Sequence, residues 1–128
     1  MTFLRRVSGR RVSFALWCLG WLAVAVLLLA PLDAAGPRGS DKLVHLLVFA
    51  SLAFGTIGFC RSPRTLTLLA ATTLLAGAAL EAAQGLVAYR TVEIADALAN
   101  AGGATLGFLA ALAVLTFWSR PGKPAAGD

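Results

Sequence analysis

Charge is scarce in this chain, and so are most of the residues that soluble enzymes use for chemistry. Only 13% of the 128 residues are Asp, Glu, Lys or Arg, about half the share of an ordinary globular chain. There is one histidine, His45, and there are two cysteines, Cys18 and Cys60. Protein metal sites usually recruit more His or Cys than that, so no metal is expected. No Cys-x-x-Cys pair occurs, no glycine-rich loop of the kind that cradles nucleotide phosphates, no Ser-His-Asp order and no internal repeat. The net charge of +5 is spread in short clusters between apolar runs, so a nucleic-acid partner is not expected and membrane topology is the better account.

What fills the chain is apolar surface. Hydrophobic residues make up 59% of it, against about 45–50% in typical globular chains. A soluble domain this short cannot hide that much. A membrane helix needs about 20 mostly apolar residues, and four stretches qualify: 12–31, 43–60, 65–87 and 94–118. The expected fold is therefore all-α, an integral membrane bundle of four transmembrane helices. Short connections make its successive helices antiparallel. Residues 1–11 form a basic N-terminal segment, 12–118 the membrane domain, and 119–128 a polar tail expected to be disordered. Cys18 and Cys60 read as small packing residues.

Lys and Arg near the span ends set the orientation. Arg5, Arg6, Arg10, Arg11, Arg61, Arg64, Arg120 and Lys123 fall on one side, and Arg38, Lys42 and Arg90 on the other. Both termini are expected in the cytoplasm. The opening "RRVSGRRVSF" resembles a signal peptide, but the apolar run that follows exceeds the usual length of about 7–15 residues, which favours a retained helix.

This topology collects the unusual polar residues at the extracytoplasmic end. Asp41, Lys42 and His45 open the second span, Glu81 and Gln84 close the third, Arg90 and Glu93 lie in the outer loop, and Asp96 and Asn100 open the fourth. Helical spacing puts Asp41, His45 and Phe49 on one face, as it does Gly77, Glu81 and Gln84, and again Asp96, Asn100, Gly103 and Gly107. Small residues let membrane helices approach closely, so Gly77, Gly103 and Gly107 are expected at helix contacts, with the polar groups turned into the bundle. An ionised carboxylate at mid-bilayer costs about 2.5–3.5 kcal/mol or more. Even near the rim Glu81 and Asp96 therefore call for partners, and Arg90, Lys42 and His45 are the donors available.

The same residues, in order, resemble the VanZ-like family. Its pattern of Asp-Lys-x-x-His-x-x-x-aromatic, then Glu-x-x-Gln, then Arg, then Asp-x-x-x-Asn-x-x-Gly is matched by Asp41, Lys42, His45 and Phe49, by Glu81 and Gln84, by Arg90, and by Asp96, Asn100 and Gly103. The likeness spans roughly residues 40 to 110. One departure is that Ala88 and Tyr89 precede Arg90, where that family often has Pro-Gly. The resemblance implies a small multi-pass protein of the bacterial inner membrane. The family's namesake is linked to resistance to glycopeptide antibiotics such as teicoplanin.

The expected site is a polar pocket of Lys42, His45, Glu81, Gln84, Arg90, Asp96 and Asn100 that takes an anionic lipid or a lipid-linked envelope intermediate. Arg90 suits a phosphate or carboxylate because its planar fork can grip two oxygens. Asn100 is expected to bond across helices, and Glu93 to be a solvated loop residue. Two alternatives stay open. One is an intramembrane enzyme with Glu81, His45 and Asp96 as catalytic candidates. The other is an accessory protein whose polar network only holds the bundle. Binding without catalysis is favoured, no cofactor is expected, and the glycine faces permit a homo-oligomer without requiring one.

Overall fold

Four helices run through the computed structural model, which describes residues 2–29, 40–87 and 93–118. They are α1 (Thr2–Leu29), α2 (Ser40–Gly55), α3 (Pro63–Gln84) and α4 (Ile94–Trp118), with a short 3-10 turn, Thr56–Gly58, after α2. No strand occurs among the described residues. Each helix, α2 together with the 3-10 turn that follows it, provides a stretch long and apolar enough to cross a membrane: Gly9–Leu29, Asp41–Gly58, Pro63–Gln84 and Ile94–Phe117. At 1.5 Å per residue the shortest, of 18 residues, extends about 27 Å, close to a bilayer's hydrocarbon thickness.

The boundaries differ from the sequence expectation in instructive places. The first helix starts at Thr2, ahead of the expected span start at Val12, so residues 2–11 of the basic segment are helical. The third helix ends at Gln84, and Gly85–Val87 form the turn beyond it. At the start of α3, Ser62 accepts a hydrogen bond from the Thr65 N–H at 3.2 Å, and Pro63 occupies the first turn. That pairing satisfies one orphan donor and presets the helical φ. The expected disorder of 119–128 lies outside the described residues.

Helix directions alternate. The start of α1 meets the end of α2, where Arg10 bonds the Phe59 carbonyl. The end of α1 meets the end of α3 through Leu28 and Gln84. Leu66 of α3 packs with Ala111 of α4 at one end of the bundle, and Glu81 meets Glu93 at the other. Successive helices are thus antiparallel, and the start of α1 shares an end with the finish of α4.

The closest pair is not successive. Helices α2 and α4 run parallel, with Gly103 against the Leu46 carbonyl and Gly107 against the Ala50 carbonyl. A Cβ at either glycine would fall on backbone, which a helix cannot move aside. Phe49, 1% exposed, fills the space beside Gly77, where an added Cβ would lie 2.6 Å from its ring. It also meets Trp21 edge-on, with centroids 5.9 Å apart. All three glycines are therefore where close approach requires them.

Core residues are few: Val24, Phe49, Leu52, Ala53 and Ala104 form one cluster, and Cys60, Leu66 and Ala111 another. Cys60 is a packing residue, as expected; Cys18 is not, because it faces outward on α1. Large apolar side chains line the outside, with Leu75 and Phe117 each 72% exposed. Burial of each would be worth about 1.5–3 kcal/mol in water, so lipid is the solvent this surface fits.

Helix α1 has little buried area and is fastened by polar clips. Arg10 Nε and Nη2 donate to the Phe59 carbonyl at 3.2 and 3.1 Å. Trp17 Nε1 donates to the Leu52 carbonyl at 2.9 Å. Gln84 Nε2 donates to the Leu28 carbonyl at 2.9 Å. These bonds sit near the beginning, middle and end of the helix.

Candidate functional site

The parallel docking of α2 on α4 puts two helix N-terminal turns side by side, and the antiparallel α3 delivers its last turn to the same place. Lys42 lies at the centre. Its Nζ is 2.8 Å from Glu93 Oε2, 3.3 Å from Asp41 Oδ2 and 3.4 Å from Asp96 Oδ1. The first two contacts are hydrogen bonds. The third is an ion pair without hydrogen-bond geometry, so Asp96 Oδ1, which is buried, has no hydrogen-bonding partner among the described residues. The ammonium also answers a repulsion. One ligand atom from each of Asp41, Glu93 and Asp96 lies within 4.8 Å of the others, and the ammonium of Lys42 among them offsets their mutual repulsion. Asp41 and Asp96 further sit in the first turns of α2 and α4, where the helix dipoles favour negative charge.

One turn deeper, His45 Nδ1 and Asn100 Oδ1 are 2.9 Å apart. With the amide oxygen facing the ring, Nδ1 carries the proton and donates. Asn100 is 3% exposed, and its Nδ2 has no hydrogen-bonding partner among the described residues. Glu81, 4% exposed, accepts the Glu93 backbone N–H on Oε1 at 3.2 Å. Its other oxygen, Oε2, is buried and unpartnered among the described residues. Gln84, also 4% exposed, is turned toward α1 as one of its clips.

The expected polar gathering is therefore present at one end of the bundle for Lys42, His45, Glu81, Gln84, Asp96 and Asn100. Arg90 lies outside the described residues. Asn100 bonds across helices, as expected. Glu93 is exposed but not merely solvated: its carboxylate is the nearest partner of Lys42 and its backbone N–H binds Glu81. Lys42, expected both as a ligand residue and as a donor available to Asp96, is shared by three carboxylates, Asp96 among them. The position of Glu93 just before α4 carried a usable signal, because an acidic residue there suits a helix N-terminus.

Searches of known proteins return no matching family model, no similar characterised protein and no similar solved structure. Fold and surface define the class on their own: a multi-pass integral membrane protein with a polar cluster at one end.

Proposed function

We propose that the polar end binds the headgroup of a membrane lipid or lipid-linked envelope intermediate, in a VanZ-like protein of the bacterial inner membrane with both termini cytoplasmic. One observation carries this reading. A buried acceptor, Glu81 Oε2, and a buried donor, Asn100 Nδ2, are both left without hydrogen-bonding partners among the described residues at the same end. An unsatisfied buried polar group costs about 1–3 kcal/mol, and a ligand with hydroxyl or amide groups relieves both. Lys42 and its carboxylates hold the helix mouths together, which leaves Arg90 as the residue suited to a phosphate on the ligand. An effect on glycopeptide susceptibility would follow from altered envelope chemistry or drug access.

Native mass spectrometry of the wild type beside Glu81→Ala, Asn100→Ala and Arg90→Ala tests the proposal. A lipid retained by wild type and lost in the variants supports binding. No retained lipid, with all three variants less stable, leaves the polar cluster a purely structural latch.

A further inference from the structure

The opposite end of the bundle has the reverse electrostatics. Every carboxylate among the described residues, Asp41, Glu81, Glu93 and Asp96, belongs to the polar end. The other end gathers Arg10 and Arg11 on α1 with Arg61 and Arg64 around the start of α3, all exposed, and no acidic residue among the described ones accompanies them there. Arg61 and Arg64 flank a helix N-terminus, which already carries partial positive charge. Lys42 is surrounded by three anions, whereas these four arginines have none from the described chain.

One of them is held in place. Two N–H groups of Arg10 converge on the Phe59 carbonyl, a neutral acceptor that orients the guanidinium without cancelling its charge. Beneath it Phe14 and Phe59 meet edge-on, with centroids 5.3 Å apart. Arg10, Arg11, Phe14 and Phe59 line an open recess of about 350 Å³, where α1 leaves the apolar part of its span. A recess with cationic donors above and aromatic faces below matches an amphiphile with a phosphate head and a hydrocarbon body.

We propose that this recess binds an anionic phospholipid, its phosphate on Arg10 and Arg11 and its glycerol and upper acyl segment on Phe14 and Phe59. The site is separate from the polar end and does not depend on the function proposed for it. The full-length protein in nanodiscs of phosphatidylcholine, with and without phosphatidylglycerol, provides the test, read by native mass spectrometry of retained lipid and by melting temperature. Wild type should retain phosphatidylglycerol preferentially and melt higher in its presence. Arg11→Gln, which breaks no bond within the protein that the structure records, should lower that preference about fivefold, one arginine's share of attraction to an anionic surface. Arg10→Lys, which keeps the charge but cannot repeat the two-pronged bond to Phe59, should lower it as well. A lipid that Glu81→Ala releases from the polar end should stay bound in Arg11→Gln, so the two sites fail separately. Equal retention of the two lipids by wild type, or an unchanged preference in Arg11→Gln, would overturn the proposal. So would full stabilisation by inorganic phosphate in phosphatidylcholine alone, which would make the site one for free phosphate.

Discussion

Gly103 of α4 rests directly on the Leu46 carbonyl of α2, one residue along from His45, and this backbone contact sets the reach across which His45 meets Asn100. Gly103→Ala should therefore force the two helices apart and lengthen that hydrogen bond. Overpacking of this kind costs about 1–3 kcal/mol, and Gly107→Ala should behave alike against Ala50. Gly102 supplies the control, because a Cβ added there would meet nothing within 4 Å. Gly102→Ala should be neutral or slightly stabilising, since alanine favours a helix over glycine. Equilibrium unfolding of the three variants in detergent checks the ordering.

The His45–Asn100 bond can be weighed by a double-mutant cycle. Interhelical hydrogen bonds in membranes average about 0.6 kcal/mol and reach about 1.7. His45→Ala and Asn100→Ala should couple within that range, and the double variant should be less destabilised than the sum of the two. Additive effects would mean that the two side chains do not support each other.

Lys42 should matter more than any one of its partners. Lys42→Met leaves Asp41, Glu93 and Asp96 facing one another without a cation, whereas Glu93→Gln leaves a lysine with two carboxylates. Melting temperature should fall further in Lys42→Met than in Glu93→Gln. The loss should shrink when Lys42→Met is placed in a Glu93→Gln, Asp96→Asn background, because the repulsion has then been removed. An undiminished loss would assign the role of Lys42 to its aliphatic stem.

The clips on α1 lead to the opposite expectation. Trp17 and the Gln84 partner Leu28 are about 16 Å apart along the helix, beyond the range at which mutations usually interact. Trp17→Phe and Gln84→Leu should each cost about 1 kcal/mol and should add. Denaturant unfolding of the single and double variants measures both terms.

The helical class and the four spans are legible in the sequence because apolar runs of membrane length permit few other structures. The glycine contacts are legible too, since Gly103 and Gly107 share a face with Asn100, although the i+4 spacing alone does not name Leu46 and Ala50 as the backbone they meet. The partner of each polar residue is the part that periodicity does not provide. Lys42 is legible in the sequence as a donor for Asp96 but not as the partner of Glu93, 51 positions away, which only the parallel docking of α2 on α4 brings to it. Glu93 reads as solvated because a loop position suggests water, while its backbone N–H is turned inward to Glu81. The clips on α1 escape a sequence reading because their acceptors are backbone carbonyls, which no side-chain pattern reveals.

The pairing of α2 with α4 also imposes an order on biogenesis. A ribosome releases α2 and α3 while α4 is still unmade, so the carbonyl ridge of Leu46 and Ala50 must wait beside lipid for its partner. A nascent chain halted before Glu93 would already possess three inserted helices. It would have Lys42 matched only to Asp41, and His45 without Asn100. The polar end is finished only when Glu93, Asp96 and Asn100 have been made, so the site matures after the three helices that precede it.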